Sequence, residues 1–175
     1  MAMLPIIEVP DHRLRLKAAP VGAIDARVRR LVSDLFETMY DAPGIGLAAV
    51  QVGALDRVFV MDLQTEGADG VAVKTPRAFI DPEVVWASDE RSIYNEGCLS
   101  IPEQYAEVER PARVRARWLD VDGVAREEEL EGLTATCIQH EIDHLNGVLF
   151  IDHITRLKRD ILLRKLAKAR RDTDK

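Results

Sequence analysis

The sequence predicts an α+β fold with mainly antiparallel sheet. Strand-like runs are segregated from a few helices, with no βαβ alternation that would build a parallel sheet. An Asp122-Gly123 pair sits between two alternating segments, a strong hairpin signal. A His140-Glu141-Ile142-Asp143-His144 run lies in an otherwise apolar helical stretch.

In chain order, residues 25–41 read as an amphipathic helix. Asp25 can cap it, and Val28, Leu31, Val32, Leu35, Phe36 and Met39 recur on one face. Pro43-Gly44 ends it and opens a glycine-containing loop. Strand-like runs follow at 57–63, 78–86 and 105–119, and the hairpin joins 112–119 to 124–130. There Arg113, Arg115 and Arg117 alternate with Val114, Ala116 and Trp118, opposite Glu127, Glu128 and Glu129. That pattern indicates a solvated face with cross-strand charge pairs, not a nucleic-acid patch, and no DNA partner is expected. A helix spans about 133–146, with Asn146-Gly147 as its left-handed stop. A last helix, about 154–170, carries Ile154, Leu157, Ile161, Leu162 and Leu166 on an apolar stripe.

Composition sets limits. With 175 residues, 47% hydrophobic and 31% charged, the chain has the balance of one globular domain spanning 1–175. No apolar run approaches the roughly 20 residues needed to span a bilayer, and the N-terminus lacks the pattern of a signal or transit peptide. Two cysteines among four histidines fit metal chemistry in a reducing compartment better than a disulfide scaffold, so the cytoplasm is the expected location. From residue 153 onward nine Lys or Arg stand against three Asp, whereas the whole chain carries −6. An acidic body thus bears a basic tail, which either meets a polyanion or merely complements the helix dipole and solubilises the end.

The chemistry centres on residues 140–144. Positions i and i+4 share a helix face, so His140 and His144 can reach one divalent ion, with Glu141 at the edge of that face. Such an ion lowers the pKa of a bound water, and the carboxylate can take its proton. Two histidines do not close a site. The slot used by a third histidine in longer motifs of this type holds Phe150, and no glutamate follows Glu141, so an ordinary metallopeptidase ligand set is missing downstream. Asp152 and His153 lack a recognised spacing, and the ligand is expected upstream. Both Cys98 and Cys137 are candidates, and spacing alone does not choose between them. His12 and His153 read as ordinary surface or structural histidines.

Three ordered segments carry a resemblance. Gly44-Ile45-Gly46-Leu47-Ala48-Ala49-Val50-Gln51, Glu96-Gly97-Cys98-Leu99-Ser100 and Gln139-His140-Glu141-Ile142-Asp143-His144-Leu145 resemble the three signatures of peptide deformylase. The resemblance implies a metal helix wrapped by the sheets, Cys98 as third ligand beside His140 and His144, and ferrous iron as the working ion, with Zn²⁺, Ni²⁺ or Co²⁺ able to substitute. It implies hydrolysis of the formyl group from N-terminal formyl-methionine of nascent peptides, releasing formate, with Glu141 as general base and then acid. Gln51, through its side-chain amide, and Leu99, through its backbone N–H, would steady the oxyanion. Ile45, Gly46, Tyr94, Gly97, Leu133 and Cys137 would line the substrate pocket, the glycine-rich backbone pairing with the peptide like an added strand. A bacterial-type monomer is expected, docking on the ribosome through its basic C-terminal helix. Where many relatives carry arginine after Ser100-Ile101-Pro102-Glu103-Gln104, this chain has Tyr105, which bears on preference along the peptide and not on the reaction.

Overall fold

A computed structural model of the chain describes residues 2–174. Helix α1, Ala26–Asp41, is capped by Asp25, whose side chain accepts a hydrogen bond from the Val28 amide at 3.0 Å. Its expected face is buried at Val28, Val32, Leu35 and Met39, with Leu31 and Phe36 partly so. It packs on a five-stranded antiparallel sheet of spatial order β1-β2-β3-β6-β7: Gly46–Ala48, Val58–Met61, Arg77–Ala87, Arg113–Leu119 and Ala125–Glu131. A separate two-stranded sheet pairs β4, Arg91–Cys98, with β5, Ile101–Pro111.

The hairpin forms between β6 and β7, which face each other from Arg113↔Glu131 to Leu119↔Ala125. Its loop is longer than a two-residue turn: Asp120 accepts from the amides of Asp122 and Val124, and Gly123 takes a left-handed φ of 78°. Arg115 faces Glu129 and Arg117 faces Glu127, each at 3.4 Å, while Val114, Ala116 and Trp118 are buried. These exposed pairs contribute little individually.

Two expectations need correction. The run 105–119 is two strands, broken at Ala112, whose amide donates to the Glu90 carbonyl and turns the chain from one sheet to the other. The apolar stripe of the last helix, α3, Arg156–Thr173, is rotated. Leu162 and Leu166 are buried, but Leu157 is 70% and Ile161 43% exposed, and Ile154 precedes the helix. The docked face follows Arg159, Leu162, Leu163, Leu166 and Arg170, all at least half-buried and at helical spacing.

Helix α2, Gly132–Leu145, lies against every strand of both sheets. It is buried almost all round, with Ala135, Ile138, Ile142 and Leu145 in one core cluster shared with β2, β3 and β6. Asn146 caps its C-terminus and Gly147 follows at φ 73°. A Cβ at Gly147 would also strike the backbone of Arg15, so glycine is required there twice over.

Candidate active site and metal centre

Three elements bring the chemistry together. Helix α2 presents His140 and His144, one turn apart, and their Nε2 atoms lie 3.2 Å from each other. The end of β4 delivers Cys98, whose Sγ lies 3.2 Å from His144 Nε2. Among the described residues, these three form the cluster whose donor atoms all lie within 4.8 Å of one another. For ligand bonds of about 2.0–2.3 Å, tetrahedral donors sit about 3.3–3.6 Å apart, so the cluster fits a small divalent ion with a position left over.

Cys137 has different surroundings. Burial pushes the Cys137 thiol well up, and the carboxylates of Glu141 and Glu96 push it further, so it stays protonated. It is a wall residue outside the cluster. Burial, and then the neighbouring His140, hold His144 well below its ordinary value.

Beneath the cluster lies a charged network that sequence reading missed. Glu96 on β4 accepts from His140 Nδ1 at 2.8 Å, which aims the opposite ring nitrogen at the cluster. Arg110 on β5 grips Glu96 through two bonds, at 2.7 and 3.0 Å, and reaches Asp143 at 2.8 Å. Asp143 also meets His153 Nε2 at 2.7 Å, so His153 has a partner in the network. The Arg110 and Glu96 side chains are each 5% exposed. Hydrogen bonds to His140 and Arg110 outweigh the upward push of burial and hold Glu96 below its ordinary value, as a carboxylate. One signal was available: Val108 and Arg110 alternate as inward positions of β5, and an arginine in that register needs a buried partner.

Glu141 lies beside the metal face, and its Oε2 is buried without a hydrogen-bond partner. Burial pushes its carboxyl up to about 7, against the pull of His140. Space for this side chain exists because residue 46 is glycine: a Cβ there would fall 2.9 Å from Glu141 Cδ and closer still to Oε1. The Gln51 side chain is pinned by its Oε1, which accepts from the Ala48 amide at 2.9 Å. Its amide nitrogen donates to Ser100 Oγ at 3.0 Å and points at Cys98 Sγ at 3.5 Å.

A cavity of about 460 Å³ opens above these groups. Every other residue expected to touch substrate lines it: Ile45 and Gly46 from the β1 side, Tyr94, Gly97 and Leu99 from β4 and its turn, and Leu133 and Cys137 from α2. Strand β1 is an edge of the large sheet and β4 has β5 as its single partner, so two strand edges flank the cavity. Tyr105 lies opposite Gly97 in the β4–β5 register with its ring over that glycine, where a Cβ would come within 2.6 Å of the ring.

Residues 3–160 match the family described as polypeptide deformylase. The chain is 62% identical over 172 residues to the peptide deformylase of Rhizorhabdus wittichii, covering 98% of this chain and 97% of that one. It is 61% identical to that of a Bradyrhizobium species, over 97% of each. Among solved structures, the peptide deformylase of Legionella pneumophila superposes with a TM-score of 0.90 at 40% identity, covering 99% of both chains. That of Ehrlichia chaffeensis gives 0.91 at 39%, covering 98% of this chain and 99% of that one. With matching sequence, matching fold and a Cys-His-His cluster under a cleft, the chain belongs to the peptide deformylase family.

Proposed function

We propose that this protein is a metal-dependent hydrolase that removes the formyl group from N-terminal formyl-methionine of nascent peptides, releasing formate. The observation that carries the reading is the convergence of Cys98, His140 and His144 beside a buried, unpartnered Glu141 oxygen at the floor of a cleft between two strand edges.

A divalent ion held by Cys98, His140 and His144 would supply Lewis acidity to a water and to the formyl carbonyl. The soft thiolate favours Fe²⁺ or Zn²⁺ over Mg²⁺ or Ca²⁺, and ferrous iron is the working metal of this proposal, with Ni²⁺ or Co²⁺ as substitutes. Glu141 takes a proton from the attacking water and passes it to the departing amine. A carboxyl that burial pushes toward neutrality suits both halves of that transfer. The Gln51 amide and the Leu99 backbone N–H steady the developing oxyanion, and the anchored Gln51 carbonyl keeps the donor fixed. The peptide runs between the strand edges, held by the backbone of Ile45, Gly46 and Gly97. Its methionine side chain lies against Tyr94, Leu133 and the neutral Cys137 thiol.

The basic outer side of α3, with Arg164, Lys168 and Arg171 exposed, is proposed to meet the ribosome, and cytoplasmic location follows from that role. Among the described residues no helix is long and apolar enough to cross a membrane.

Formate release from formyl-Met-Ala-Ser tests the activity. Metal-replete protein should turn over, and Glu141→Ala should keep its metal while losing about 10²–10⁴-fold in kcat. Near-normal release by metal-replete Glu141→Ala would overturn the mechanism, and no release by the native protein would overturn the activity.

A further inference from the structure

A second cavity, of about 360 Å³, lies between β5 and α3. Asn95, Gln104 and Tyr105 line both this space and the cleft above the metal cluster, so the two are neighbours across one wall. On the α3 side the groove is bounded by Lys158, Ile161 and Lys165. Their spacing, i, i+3 and i+7, puts all three on one helix face. Ile161 is 43% exposed, an apolar step between two exposed ammonium groups. Among the described residues the ion pairs of α3 run through Arg156 and Arg170, and neither groove lysine has a carboxylate partner. Glu107 of β5 also lines the groove, so the local balance is two cations against one anion.

We propose that this groove receives the downstream residues of the formylated peptide, and that Lys158 and Lys165 make the enzyme favour acidic side chains there. The proposal rests on the deformylase reading above. The occupant follows from continuity, because Asn95, Gln104 and Tyr105 border both spaces, so a chain that starts at the metal cluster and runs past the ring of Tyr105 comes next to the groove. Charge complementarity then sets its composition. Seven residues along α3 span about 10 Å, which an extended peptide covers in about three residues. Acidic side chains two or three positions apart can therefore meet both lysines, with the peptide's apolar groups over Ile161.

The test uses formyl-Met-Ala-Ser and two formylated octapeptides sharing those first three residues, one rich in glutamate at positions four to eight and one rich in lysine. The quantity read is each octapeptide's kcat/KM relative to the tripeptide within the same protein. At low ionic strength the acidic octapeptide should show a KM about two- to tenfold below the basic one with equal kcat, the range expected for two exposed ion pairs. High salt should erase the difference. The Lys158→Glu/Lys165→Glu double variant should invert it. Equal KM values in the native protein, or an acidic preference unchanged in the double variant, would overturn the proposal. So would a double variant that loses affinity for a single-stranded RNA oligonucleotide while keeping the peptide preference, which would assign the lysines to another polyanion. Failure on the tripeptide itself would remove the deformylase reading and this proposal with it, whereas normal tripeptide turnover with flat octapeptide ratios would remove this proposal alone.

Discussion

Arg110→Met should be among the most damaging single changes outside the Cys98-His140-His144 cluster. The substitution keeps much of the side-chain volume but leaves Glu96 with His140 alone and Asp143 with His153 alone. Breaking a buried ion pair by removing one partner costs about 3–5 kcal/mol, because an uncompensated charge remains in a poorly solvated place. In a domain of this length each kcal/mol moves Tm by about 2–4 °C, so a fall of about 6–20 °C is expected. A second effect is chemical. Arg110 holds Glu96, which fixes the His140 ring through Nδ1, so the ring's outer partner is loosened and metal affinity should fall, by up to the roughly 10–100-fold that complete loss of such a partner costs. Thermal unfolding at matched metal occupancy reads the first effect, and competition against a chelator reads the second. Glu96→Gln combined with Arg110→Met should recover part of the Tm, since one stranded charge is gone, but not the metal affinity. A Tm within about 2 °C of the native protein and an unchanged chelator midpoint would refute the reasoning.

Other outcomes follow from the same geometry. Gly46→Ala should lower kcat about 10–100-fold with the metal retained, because the new Cβ displaces the Glu141 carboxylate and misplacement by about 1 Å is that costly; native kcat in a folded Gly46→Ala protein would contradict it. Cys98→Ser should lose metal on gel filtration, whereas Cys137→Ser should keep it and change mainly KM; the reverse pattern would reassign the ligand. Asp62 is held below its ordinary value because hydrogen bonds from Tyr40 and the amides of Thr75 and Gln64 outweigh burial. A depressed folded pKa means its stabilising effect is complete above the unfolded value and fades as pH falls through the folded one. Tm should therefore drop as pH goes below about 4, less steeply in Asp62→Asn, and identical slopes would exclude this role.

The parts of the site visible in the sequence are those set by local periodicity. His140, Glu141 and His144 lie on one helix, so spacing alone brings them together. Cys98 is on a different element, and its approach to His144 depends on how the β4–β5 sheet meets α2; the thiol could be named from a family pattern but not from its spacing. Strand β4 escaped notice because it alternates between exposed and half-buried positions in a sheet of two strands, with no buried position until Glu96. Arg110 was not singled out, and its burial follows from tertiary pairing with Glu96 and Asp143. On α3 Leu162 and Leu166 dock as expected, but Leu157 and Ile161 are apolar and stay exposed, so apolar spacing alone did not locate the whole docked face.

X-ray absorption at the metal edge of the reconstituted protein reads the ligand set itself. One sulfur at about 2.3 Å and two imidazole nitrogens at about 2.0–2.1 Å are expected, with a remaining light-atom position that exchanges with solvent. Two sulfurs would mean that Cys137 closes the site into a structural one, and no sulfur would remove Cys98 from the metal; either result would contradict an open Cys98-His140-His144 site.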